Sequence, residues 1–215
     1  MVLIRRLSGA ATPDPGDLGI VNEARDLLAA GGVIVFPTDT VYGLMAASDP
    51  VVAARRLNTL KGRAEANPVA ALVNQTRSVF ALLSELGQDC PFPITRLMPG
   101  PLTLVIPHRL CEGRLPASLL SLPYKGIGFR IPVYPALNML IDGAGGWIMA
   151  TSANPGGVRE GLTLESCLAG LPREAIALAV DGGEVAGTAS AVVEFTGSDW
   201  RALRTHPRMH QEASA

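Results

Sequence analysis

Short apolar runs alternate along the chain with segments whose apolar residues recur every three or four positions. Ile20, Ala24, Leu27 and Leu28 fall at helical spacing, and Gly31-Gly32 closes the helix they predict. Val33–Phe36 follows as a fully apolar run ended by Pro37, and reads as a buried strand. Further helices are predicted over Val51–Leu60, Ser78–Leu86, Pro135–Ile141 and Leu164–Leu168. Strands are predicted at Val69–Val73, Leu102–Ile106, Ile127–Ile131, Trp147–Ala150, Ile176–Val180, Ala191–Phe195 and Trp200–Leu203. Residues 8–19, rich in Pro, Gly and Asp, read as a loop. This alternation implies an α/β domain with a sheet covered by helices. The three closing strands have no long helix between them, so part of the sheet is expected to be antiparallel.

Composition narrows the class. The 215 residues suit one domain, and no linker long enough to divide them is visible. Charged residues make up 17% and the mean hydropathy is +0.28, which implies a large buried core and excludes a disordered or fibrous chain. A net charge of −1 gives no global basic field for nucleic acid, although a local basic groove stays open. Apolar stretches fall far short of the ~20 residues a membrane helix needs. Met1 to Ile4 precede Arg5-Arg6, the reverse of a signal peptide's order, so the cytoplasm is the expected location. Cys90, Cys111 and Cys167 are widely spaced and form no CxxC pair, and read as structural thiols rather than a disulfide framework or zinc site.

Four polar clusters stand directly at predicted strand or helix ends, where α/β sheets form their sites. Pro37 to Leu44 (PTDTVYGL) follows a buried strand and reads either as a capped turn or as a seat for a small polar ligand. Lys61-Gly62-Arg63, with Asn67-Pro68 beyond, reads either as a helix C-cap or as a phosphate grip, since a point charge beside a planar fork suits polyphosphate. Arg130, inside the apolar run of GFRIP, requires an internal acid or an anionic ligand, because an unpaired buried charge is strongly unfavourable. Thr151 to Gly157 (TSANPGG) spells a turn, and its small residues would equally let backbone N–H groups approach a phosphate.

Taken in order, PTDTVYGL, KGR with NP, MPGPLTLVI, GFRIP, TSAN, and Ser190 with Val192-Val193 resemble the YrdC-like family over about residues 17–206. The resemblance implies an N-terminal strand or loop segment (1–16), one YrdC-like domain (17–206) and a C-terminal tail (207–215). It implies a single-domain, twisted, mixed parallel and antiparallel sheet with helices on its faces and an open concave groove. It further implies an enzyme, a nucleotidyltransferase that makes threonylcarbamoyl-AMP and pyrophosphate from L-threonine, bicarbonate and ATP for a tRNA modification. On that pattern Lys61 and Arg63 grip the phosphates as the catalytic cations, with Asn67, Ser152, Asn154 and Arg204 on the nucleotide side. Thr40, Arg130 and Ser190 fall on the threonine side. Mg²⁺ is expected with ATP, and no protein metal site is expected. Either cation's replacement by Ala is expected to leave folding nearly unchanged, as at surface caps.

The chain departs from the pattern in places. Leu72 stands where some members carry His, Ala191 and Glu194 alter the usual Ser-Thr-Val-Val-Asp run, and Gly156-Gly157 replace a Ser-Gly pair. No Ser-His-Asp or Cys-His arrangement is evident, and His108 and His210 read as surface residues. Downstream threonylcarbamoyl-transfer proteins are implied partners. An RNA-binding paralogue with little synthase activity is the competing reading, its groove admitting tRNA or double-stranded RNA. The scarcity of aromatics, 5%, weighs against it.

Overall fold

The computed structural model describes residues 2–9 and 12–209; His210 lies outside them. Their strands form one ten-stranded sheet. In chain order these are β1 (Leu3–Arg6), β2 (Ile34–Phe36), β3 (Gly43–Ala46), β4 (Ala70–Val73), β5 (Leu102–Ile106), β6 (Ile127–Arg130), β7 (Trp147–Ser152), β8 (Leu178–Asp181), β9 (Ala191–Phe195) and β10 (Trp200–Arg204). Across the sheet the order is β1-β8-β2-β3-β7-β4-β6-β5-β9-β10. The β1/β8, β2/β8, β4/β6 and β5/β9 pairs are parallel and the others antiparallel. The helices are α1 (Pro15–Ala29), α2 (Pro50–Leu60), α3 (Arg77–Gly87), α4 (Ile94–Leu97), α5 (His108–Cys111), α6 (Pro135–Gly143) and α7 (Leu164–Leu168).

Local chemistry sets several boundaries. The loop expected over 8–19 ends early, because Asp14 and Asp17 form a reciprocal capping box around Pro15 and start α1 there. Asp49 caps α2 through the Val51 and Val52 N–H groups. β3 begins at Gly43, inside the segment read from sequence as a capped turn or a ligand seat, runs past it to Ala46, and pairs with both β2 and β7.

Alternation along the strands divides the core into two layers. Val35, Leu44, Ala71, Phe129 and Leu104 pack with α2 and α3, while Ile34, Phe36, Met45 and Ile148 pack with α1 and α6. Each such large side chain contributes about 1.5–3 kcal/mol by leaving water. The second layer stops short: α1 and α6 cover the β8, β2 and β7 side, and leave the same face of β4, β6, β5 and β9 open. Ala70, Gly128, Thr103 and Glu194 line a groove there instead of filling it, with Leu72, Val105 and Val192 as its apolar positions. Arg130 points into this groove while Phe129 points into the core.

His108, expected at the surface, is half-buried, and its Nε2 is enclosed with no partner among the described residues. Cys111 and Cys167 are buried, Cys90 is half-buried, and all three are free thiols. Among the described residues no helix is long and apolar enough to cross a membrane.

Candidate active site

One end of the groove is built from the turn between β2 and β3. Thr38 Oγ1 donates to the Val41 carbonyl (2.7 Å) and accepts from the Thr40 N–H (3.0 Å), which fixes the turn. With its one proton committed, Thr38 Oγ1 accepts from the Thr40 hydroxyl at 3.0 Å. Thr40 Oγ1 in turn accepts from Arg130 Nη1 at 2.7 Å. Arg130 Nη2 pairs with Asp39 at 2.5 Å, and Nε donates to the Gly100 carbonyl at 2.9 Å. The internal acid that the sequence left open is therefore Asp39. Three of the five guanidinium protons are used, which leaves two for another acceptor. Arg130 is 6% exposed, and burial lowers its pKa against the opposing pull of Asp39.

Facing this turn, Ser190 and Thr103 share a hydroxyl contact of 2.9 Å. Arg204 braces the same residue, with Nε to the Ser190 carbonyl at 2.7 Å and Nη2 to its Oγ at 3.3 Å. The loop carrying Ser190 is tied to the threonine turn: Gly187 N–H donates to the Thr40 carbonyl, and the Tyr42 hydroxyl donates to the Gly183 carbonyl. Thr40, Arg130, Ser190 and Arg204 thus line one cavity of about 630 Å³. Leu72, level with Arg130 across the β4–β6 pair, gives it an apolar wall. Ala191 is buried in the α2/α3 layer, so that departure leaves the cavity wall untouched.

The other end is cationic. Gly62, at φ +62°, turns the chain sharply after α2, so Lys61 points inward and Arg63 emerges into the groove. Lys61 Nζ donates to the Ser152 carbonyl (2.5 Å), to Asn154 Oδ1 (2.7 Å) and to Ser152 Oγ (3.3 Å). The expectation of a surface position fails here: Lys61 is 6% exposed. Its backbone caps α2, but its side chain crosses to the end of β7. Burial, helped by Arg63 and opposed by Glu160, holds its pKa down to about 8. Ser152 Oγ donates to Asn154 Oδ1 at 2.6 Å, and Asn154 Nδ2 donates to the Val158 carbonyl. These residues line a second cavity of about 470 Å³, which shares Arg63 and Ser152 with the first. The Arg63 guanidinium makes no hydrogen bond or ion pair among the described residues.

Eight of the nine residues singled out from sequence meet around these two cavities. Asn67 is the exception: its carbonyl accepts from Asn58 Nδ2 (2.7 Å) and the Tyr124 hydroxyl (3.2 Å), and its side chain lines neither cavity. Sequence reasoning missed Thr103, Lys125 and Glu160, all of which line the walls. Thr103 carried a usable signal, a hydroxyl inside an apolar strand, the same logic that exposed Arg130. Lys, Arg and hydroxyl groups suit phosphate and carboxylate oxygens rather than a bare cation. Among the described residues no cluster of three His, Cys, Asp or Glu could seat a metal.

Comparison with known proteins gives this arrangement a family. The sequence profile Sua5_yciO_yrdC (Telomere recombination) matches residues 26–206. A human protein named threonylcarbamoyl-AMP synthase is 32% identical over 160 residues, 74% of this chain and 54% of its own length. One of the same name from Hahella chejuensis is 30% identical over 147 residues, 68% of this chain and 78% of its own. The structure of a P. abyssi Sua5 variant (H234A/Y235A) superposes with a TM-score of 0.75 at 26% identity, covering 95% of this chain and 57% of that one. This chain thus spans about half the length of its human relative. Fold, motif order and profile agree, and the chain belongs to the Sua5/YciO/YrdC family.

Proposed function

We propose that this chain is a nucleotidyltransferase that converts L-threonine, bicarbonate and ATP to threonylcarbamoyl-AMP, pyrophosphate and water, the product serving N6-threonylcarbamoyladenosine formation in tRNA. The observation that carries this reading is the junction of two unlike cavities at Arg63 and Ser152, one built around a buried Arg–hydroxyl pair and one around cations. The names of the human and Hahella relatives support it.

The threonine amine condenses with bicarbonate to a carbamate, expelling water, and no protein nucleophile is needed. A carbamate oxygen then attacks the α-phosphorus, and the bond to pyrophosphate breaks. Charge crowding and alignment dominate such a barrier, so positioned cations lower it. The two unused Arg130 protons suit the threonine carboxylate as a planar fork, with Thr40 and Ser190 beside it. Arg63 offers its whole guanidinium to phosphate oxygens. Lys61 supplies charge from beneath and holds Ser152 and Asn154 in place. Arg204 lies between the two ends, and Asn67 shapes the wall through Tyr124. Mg²⁺ enters with ATP as part of the substrate, and the reactive product passes to a threonylcarbamoyl-transfer protein.

Pyrophosphate release is expected only when threonine and bicarbonate are both present. Orthophosphate release, or turnover without threonine, would sink the reading. A pH signature is expected as well. The free protein loses the Lys61 proton as pH rises through about 8, so phosphate affinity is full below that value and lost above it. Calorimetry should show ATP affinity weakening by up to about tenfold per pH unit above 8. In Lys61→Met, binding should be weaker and flat over the same range.

A further inference from the structure

The cationic cavity holds one group whose charge does not suit it. Glu160 is the only carboxylate among the described residues lining that cavity, where it stands with Lys61, Arg63 and Arg159. It is half-buried, yet it makes no hydrogen bond and no ion pair within 4.0 Å among the described residues. It nevertheless lies near enough to Lys61 and Arg204 to offset part of the lowering that burial imposes on both pKa values.

The backbone that bears Glu160 is anchored from both sides. Upstream, Asn154 Nδ2 holds the Val158 carbonyl, which ties the segment to the Lys61 network. Downstream, Gly161 presses on α7: a Cβ there would stand 2.3 Å from Ser166 Oγ and 2.8 Å from the Cys167 nitrogen. Only glycine permits that approach, so the backbone around Glu160 is set by packing. A counter-ion for Lys61 or Arg204 would close to bonding distance. A bare carboxylate facing polyphosphate would oppose binding by like-charge repulsion. Both problems disappear when a divalent cation lies between, since Mg²⁺ in nucleotide sites is held by one or two carboxylates together with phosphate oxygens.

We propose that Glu160 is a protein ligand for the Mg²⁺ that arrives on the triphosphate, so that this cavity accepts metal-bound nucleotide and rejects metal-free nucleotide. The inference rests on the proposed ATP site. Calorimetric titration of the full chain without threonine separates the two ideas, using MgATP and, with EDTA, metal-free ATP, on wild type and Glu160→Gln. Wild type should prefer MgATP. In Glu160→Gln that preference should shrink by about 10–100-fold, the usual loss on disturbing a metal's surroundings. Part of the change should appear as tighter binding of metal-free ATP, with the melting temperature unchanged. A preference identical in wild type and variant overturns the proposal. So does equal weakening of both forms, which would make Glu160 an organiser of Lys61 and Arg204. Failure of wild type to bind either form overturns the ATP site itself, and the metal role with it.

Discussion

Arg130→Lys is expected to lower the melting temperature and raise the threonine KM together, with ATP affinity close to wild type. The guanidinium holds three partners from different parts of the chain, Asp39, Thr40 and the Gly100 carbonyl. A lysine can reach one of them but cannot reproduce the planar fork. Hydrogen bonds to charged groups are worth about 1.5–3 kcal/mol each, and breaking a buried pair outright costs about 3–5 kcal/mol. Loss of two bonds therefore predicts a drop of roughly 10 °C for a chain of this size. The same bonds aim the two free protons at the substrate carboxylate, so threonine KM should rise about 10–100-fold, the equivalent of one charged hydrogen bond. Thermal melting and steady-state pyrophosphate release on one preparation check both. A fall in stability with an unchanged threonine KM would leave Arg130 as the partner of Asp39 and nothing more.

Lys61→Ala and Arg63→Ala should both lower turnover by roughly 10²-fold or more, the scale of losing one key electrostatic group. They should differ in stability. Lys61 is buried and donates to three acceptors, so its removal takes a charged donor from the Ser152 carbonyl and Asn154 Oδ1, which keep the Asn154 N–H and the Ser152 hydroxyl, at about 1.5–3 kcal/mol. Arg63 makes no hydrogen bond or ion pair among the described residues, and its variant should melt with the wild type. Steady-state kinetics beside differential scanning calorimetry tests the contrast. Near-normal turnover in both variants would reduce Lys61-Gly62-Arg63 to the end of a helix. Equal melting temperatures would show that the buried network contributes nothing to stability.

By itself the sequence determined whatever depends on near neighbours. The strands Leu102–Ile106 and Ala191–Phe195 and the helix Leu164–Leu168 have the bounds their apolar patterns predict. Arg130 announced itself because a charge in an apolar strand must find a partner, and the motif order pointed to the family. The partner itself was not legible: Asp39 lies 91 residues away, and only the placing of the β2–β3 turn beside β6 brings the two together. β3 was missed for a related reason. All four of its residues are buried, so no alternation marks it, and its strand character comes from pairing with β2 and β7. Lys61 looked like an exposed cap because a helix end is polar by habit. The turn at Gly62 and the end of β7 decided otherwise, by offering buried acceptors at bonding distance. Glu160 gave no local signal at all. Its meaning comes from the charges around it, which tertiary packing assembles from the turn after α2, the loop after β7 and the end of β10.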